Sequence, residues 1–108
     1  MNHPTRFSIH VSMTKSDVAI GTVRLVGEFD RLQVDRFEHR MGRLPEGLHA
    51  VTVDLTATTL IDSAALGSLI RLRRAFDGDR FRVLVSTTFQ KKVMSVSGLE
   101  DLLGVEHV

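Results

Sequence analysis

The segment Leu60-Ile61-Asp62-Ser63-Ala64-Ala65-Leu66-Gly67 sets a carboxylate beside a hydroxyl where an apolar, β-branched run gives way to helix formers. A hydroxyl on the first turn of a helix is a good place to carry a phosphate. Backbone N–H groups and the helix dipole receive the new charge there, while the adjacent Asp62 carboxylate repels it. Phosphorylation at Ser63 would then change the surface a partner sees without unfolding the domain. A plainer account uses the same residues: Asp62 or Ser63 caps the helix, worth about 1 kcal/mol, and the alanines propagate it. Pattern alone leaves both accounts open and weighs toward the cap.

Other chemistry has less to stand on. Ser63 sits at a strand-to-helix turn, as a hydrolase nucleophile would, but there is no G-x-S-x-G and no histidine obviously placed to serve it. Neither G-x-x-x-x-G-K-[ST] nor G-x-G-x-x-G occurs, so the chain shows no nucleotide site of its own. Of the five histidines (His3, His10, His39, His49, His107), only His49 has a ligand-type neighbour at helical spacing, Glu46, and that pair lies in a Pro/Gly loop. No metal site and no catalytic residue is assigned. Asp54 near the end of a strand is a candidate phospho-acceptor of receiver type. That chemistry needs an acidic pair after the first strand to hold a hard cation, and Ser12-Met13-Thr14-Lys15 stands there instead, so Asp54 reads as a strand-end polar residue.

Composition narrows the field further. The 108 residues suit one domain with its own core, residues 1–108, of which the first five form a loose end. Fourteen Lys+Arg against thirteen Asp+Glu give a net charge of +1, no basic excess for a nucleic-acid backbone or an anionic membrane. No apolar run is long enough for a transmembrane helix, and Met1–Arg6 lacks a secretory h-region. The absence of cysteine excludes disulfides, thiolate metal sites and cysteine nucleophiles. The expectation is a cytoplasmic protein that neither binds nucleic acid nor inserts into a membrane.

The elements that position Asp62 and Ser63 follow from periodicity. Phe7, Ile9 and Val11 alternate with Ser8, His10 and Ser12, a polar turn follows at Lys15-Ser16-Asp17, and Val18–Val26 returns, predicting a hairpin. Asp30-Arg31-Leu32-Gln33 has capping-box form, and Val34, Phe37, Met41 and Leu44 stripe one helix face. Ala50–Leu55 reads as a buried strand. A helix is predicted over 63–77 with Ala65, Leu69, Leu72 and Phe76 inward; Ala64, Gly67, Ser68 and Arg71 make a smooth stripe opposite. Phe81–Val85 is a strand, and Thr87-Thr88-Phe89-Gln90 opens a helix with stripe Phe89, Val93, Val96 and a stop at Gly98. Leu99–Val108 is predicted as a short turn and a last strand. The order β-β-α-β-α-β-α-β with three amphipathic helices argues an α/β fold, its sheet mostly parallel with the N-terminal strand antiparallel. Strand order is not readable.

These landmarks together resemble the STAS domain family, specifically small anti-sigma factor antagonists. The match runs from Val53-Asp54-Leu55 over six residues to Ile61-Asp62-Ser63-Ala64-Ala65-Leu66-Gly67. Upstream, Val26-Gly27-Glu28-Phe29-Asp30 is similar to the family's G-E-x-D loop; downstream, Val93–Leu103 is similar to its third-helix ending in S/T-G-L. The resemblance implies a non-enzymatic binding module whose partner is an anti-sigma factor with serine kinase activity. That kinase would bind the ATP, leaving this chain without a cofactor, and would phosphorylate Ser63. The unphosphorylated form would hold the anti-sigma factor and free a sigma factor; the phosphorylated form would let go, with a serine phosphatase as a further partner. Glu28 and Asp30 would help dock the kinase, Asp62 would fix the turn and join the polar contact, and Ala64, Gly67, Ser68 and Arg71 would extend the partner surface. Arg71, Arg73 and Arg74 also read simply as a solvated helix face.

Two features depart from the family pattern. Ala64-Ala65 replaces the usual Ser or Thr then Gly, leaving Ser63 as the sole acceptor in the motif, and a final helix seen in many relatives has no room after Val108, leaving part of one sheet face open or for a partner. Two rival functions remain: a STAS docking subunit of an ABC transporter or signalling scaffold, in which Ser63 only caps, and, more distantly, a small hydrolase using Ser63.

Overall fold

Alternating apolar residues build two long strands at the start of the chain, β1 (Phe7–Lys15) and β2 (Ala19–Phe29), paired antiparallel. The computed structural model describes residues 7–15 and 17–108, with the side chains of Lys15 and Phe89 outside the description. The expected loose end at Met1–Thr5 and the Ser16 turn position therefore lie outside the described residues. The chain continues through α1 (Arg31–Met41), β3 (Ala50–Ile61), α2 (Ser63–Arg73), a single 3₁₀ turn at Gly78–Arg80 and β4 (Phe81–Val85). It ends with α3 (Thr88–Ser97), α4 (Glu100–Leu103) and β5 (Val105–His107).

The sheet has the order β1-β2-β3-β4-β5, and every pair after the first is parallel. Strands β2 to β5 step across the sheet in sequence order, so successive right-handed crossovers place α1, α2 and the α3–α4 segment on one face. Burial alternates accordingly. Val23, Leu25, Val51, Val53, Leu55, Val83 and Val85 are fully buried, while the intervening Arg24, Thr52, Asp54 and Arg82 keep solvent exposure. Phe29 anchors the core near the ends of β2 and β3, its ring 5.4 Å from Phe7 and 4.8 Å from Phe37 of α1.

The mixed α/β architecture with its antiparallel first strand is as expected; several boundaries are not. Strand β3 continues past Leu55 to Ile61 because it carries two extra residues against β2. Arg24 pairs with Asp54 but Val26 with Ala57, and Gly27 pairs with Thr58 but Glu28 with Leu60. Asp54 therefore sits in mid-strand, not at a strand end. Its carboxylate accepts from the Thr56 amide at 2.9 Å and the Thr56 hydroxyl at 2.6 Å, tying down the first bulge, and stands 3.8 Å from Arg24.

Helix α2 stops at Arg73, four residues short of the predicted end. Leu72, Arg73 and the residues after them turn in tight i→i+3 steps, and the Arg73 guanidinium holds the Phe76 and Leu102 carbonyls. The segment after Leu99 contains a fourth, one-turn helix as well as the expected strand.

The buried face of α3 is also not the predicted stripe. Gln90 and Met94 are fully buried and Val96 is 79% exposed, while the side chain of Phe89 is outside the described residues. Strand β4 pairs with β3 only over Val51–Asp54, so the carbonyls further along β3 need another donor. Gln90 supplies it: its amide nitrogen donates to the Leu55 and Thr58 carbonyls at 2.6 Å each, and its oxygen accepts the Ser86 amide at 3.0 Å.

Candidate functional site

The last paired residues of β2 and β3 are Phe29 and Ile61, opposite each other. The next residue on each strand is an aspartate, and each aspartate is an extended N-cap. Asp30 accepts the Leu32 amide at 3.0 Å to start α1, and Asp62 accepts the Ala65 amide at 2.9 Å to start α2. Two helices thus begin side by side at the carboxyl end of neighbouring parallel strands, and their positive dipole ends converge.

Asp62 does more than cap its own helix. Its second oxygen accepts the Arg31 amide, the first of α1, at 2.8 Å. One carboxylate thereby satisfies orphan N–H groups of both helices and sets their spacing. Ser63, left out of the capping, is the first residue of α2 and is exposed. Glu28, Asp30 and Asp62 are partly exposed residues of the two strand ends and turns beside it. Around Ser63 the two dipoles attract negative charge and the carboxylates repel it.

Sequence reasoning grouped Ala64, Gly67, Ser68 and Arg71 as one smooth outward stripe, and the structure divides it. Ala64 and Gly67 remain partly exposed. Ser68 is 1% exposed and faces α1, where its hydroxyl donates to Glu38 at 3.0 Å. Arg71 donates to the same carboxylate oxygen at 2.7 Å. Ser68 is therefore packing between helices and presents nothing to a partner, and Arg71 is tethered to α1 rather than simply solvated. The reason is helical geometry. Positions 64, 68 and 71 share a flank that solvent would cover on an isolated helix, and here α1 buries it at Ser68 and reaches Arg71 through Glu38.

Opposite that flank lies a feature the sequence did not flag. An apolar groove of about 480 Å³ between α2 and α3 is lined by Leu66, Lys92, Val93, Val96 and Ser97, beginning one turn past Ser63. Its advance signals were Leu66, apolar yet off the inward stripe predicted for its helix, and Val93 and Val96 of the stripe predicted for the next helix, both of which line the groove. Among the described residues no three His, Cys, Asp or Glu side chains gather as a metal site, and no helix is long and apolar enough to cross a membrane.

The family model described as "Mlab, STAS domain" matches residues 12–104. The chain belongs to the STAS domain family. Solved structures share its fold at low identity. An anti-sigma factor antagonist from Mycobacterium paratuberculosis is 20% identical with a TM-score of 0.75, covering 91% of this chain and 85% of that one. An antisigma-factor antagonist STAS domain from Rhodobacter sphaeroides is 17% identical with a TM-score of 0.53, covering 73% and 84%. An uncharacterized DUF3478-family protein with a SpoIIAA-like fold from Shewanella loihica PV-4 is 14% identical with a TM-score of 0.64, covering 100% and 91%. No curated protein sequence matches the chain significantly. In this STAS domain the motif Ile61-Asp62-Ser63 thus spans the β3–α2 junction, and Val26–Asp30 is the end of β2 with the Asp30 cap that leads into α1.

Proposed function

We propose that this STAS domain is an anti-sigma factor antagonist of the cytoplasm, a binding module without catalysis of its own, switched by phosphorylation of Ser63. One observation carries the reading. Ser63 is exposed on the first turn of α2, while Asp62 alone holds that turn through the Ala65 and Arg31 amides. A phosphoryl group on Ser63 would leave those bonds in place and change only the charge a partner meets. The unphosphorylated face, with Glu28, Asp30, Asp62, Ala64 and Gly67 around Ser63, would bind an anti-sigma factor with serine kinase activity. That kinase would supply the ATP, and a serine phosphatase would reset the switch. Structural neighbours that are themselves anti-sigma factor antagonists support the reading.

The test is intact mass after incubation with ATP and each anti-sigma-type kinase of the same genome, wild type beside Ser63→Ala. One phosphate on wild type alone is the expected result. No phosphate with any kinase, on folded protein, would overturn it. A second reading has its own observation, since the matching family model is that of Mlab and not of an antagonist. In it the same face docks permanently on a transporter ATPase or scaffold, and Ser63 does not switch. Co-purification with such an ATPase, undisturbed by Ser63→Asp, would favour it.

A further inference from the structure

We propose that β1 is a self-association edge: two copies of this chain pair antiparallel, β1 to β1, about a two-fold axis at Val11, joining their sheets into one.

The two edges of the sheet differ in kind. Strand β5 has three residues, two of them Glu106 and His107, and short charged edges resist pairing. Strand β1 has nine residues, about 30 Å of extended backbone. Its register with β2 runs unbroken from Phe7↔Gly27 to Lys15↔Ala19, with no bulge to turn it away, and it contains no proline. Among the described residues no strand pairs with its outer side. Among the described residues the usual protections of an edge are missing along most of its length, the exception being the Phe7 end, where the Arg36 guanidinium donates to the Phe7 carbonyl at 2.6 Å.

Its side chains are self-complementary. Ile9, Val11 and Met13 lie on the helix side, each still partly exposed, and Ser8, His10, Ser12 and Thr14 lie on the open side. A two-fold at Val11 is the one centre that pairs all nine residues. It sets Val11 against the partner's Val11, Ile9 against the partner's Met13, His10 against the partner's Ser12 and Ser8 against the partner's Thr14. Over residues 8–14 apolar residues meet apolar ones and polar residues meet polar ones; at the two ends Phe7 falls opposite the partner's Lys15, and no like charges face each other. The pairing covers the exposed apolar row of both copies and satisfies both rows of edge amides and carbonyls. A single strand pair is a modest interface, so the dimer forms in a concentration-dependent way.

The test uses the full chain. Sedimentation equilibrium over a wide concentration range should show a monomer–dimer equilibrium. The double variant His10→Lys/Ser12→Lys changes only exposed side chains and sets lysine against lysine twice; its dissociation constant should rise about tenfold or more. Because the chain has no cysteine, a mixture of His10→Cys and Ser12→Cys proteins under mild diamide oxidation should crosslink 10 to 12 in preference to either homodimer. A monomer at every soluble concentration, a dimer indifferent to the lysine pair, or crosslinking without register preference would each overturn the proposal.

Discussion

Asp62 accepts the Arg31 amide across the gap between two helices, 31 residues apart in sequence and 2.8 Å apart in space. The same carboxylate caps α2 through Ala65, so a single side chain couples the start of α1 to the start of α2. This coupling fixes the spacing of the two helix starts beside Ser63.

Removing the coupling should cost more than an ordinary cap. Asp62→Ala loses two amide partners and should destabilise the domain by about 2 kcal/mol. Asp62→Asn keeps one carbonyl oxygen and turns an N–H₂ toward the other amide, so it should recover only part of that. Urea unfolding of the three proteins measures the difference, and equal stability of Asp62→Ala and wild type would remove the bridging role.

Ser63→Asp should leave stability within about 0.5 kcal/mol of wild type, since a carboxylate on the first helical turn gains from the dipole what it loses to neighbouring acids. Its binding to an anti-sigma partner should fall strongly, while Ser63→Ala should bind as wild type does. Calorimetric binding with parallel thermal melts separates the two effects. Loss of folding in Ser63→Asp would point to a structural role in place of a switch.

Glu38 holds both Ser68 and Arg71. Arg71 is half exposed, so Arg71→Ala should cost no more than about 1 kcal/mol. Glu38→Ala strands the buried Ser68 hydroxyl as well and should cost about 1–2 kcal/mol more. Denaturant midpoints of the two variants test the ranking.

Gln90 donates to two β3 carbonyls in the interior and accepts the partly buried Ser86 amide. Gln90→Leu leaves those groups unpaired and should destabilise by about 3 kcal/mol or more. Faster amide exchange at Ser86 in the variant would report the same loss locally.

Gly104 adopts φ +59°, and a Cβ there would stand 2.6 Å from the Phe81 carbonyl oxygen. Gly47 has φ +78° with open space around it. Gly47→Ala should cost about 1 kcal/mol, and Gly104→Ala distinctly more, because backbone must move as well. Comparable melting temperatures would show that β4 and β5 can part without penalty.

Much of this molecule was legible in its residues. Local signals have local causes: Asp30, Asp62 and Thr87 cap helices because their oxygens reach amides two or three residues on. Gly98 ends α3 because it takes the left-handed conformation, and alternation at Phe7, Ile9 and Val11 makes a strand because side chains repeat every second residue. The motif around Ser63 was placed on the right turn for the same reason. What escaped depends on contacts distant in sequence. The bulges that lengthen β3 exist only against β2, Gln90 is buried because β4 is shorter than β3, and Ser68 left the surface because α1 came to lie beside it. Element identity is thus written in nearest neighbours. Which face of each element stays open to a partner was decided by packing, since a helix or strand buries whatever the rest of the chain brings against it.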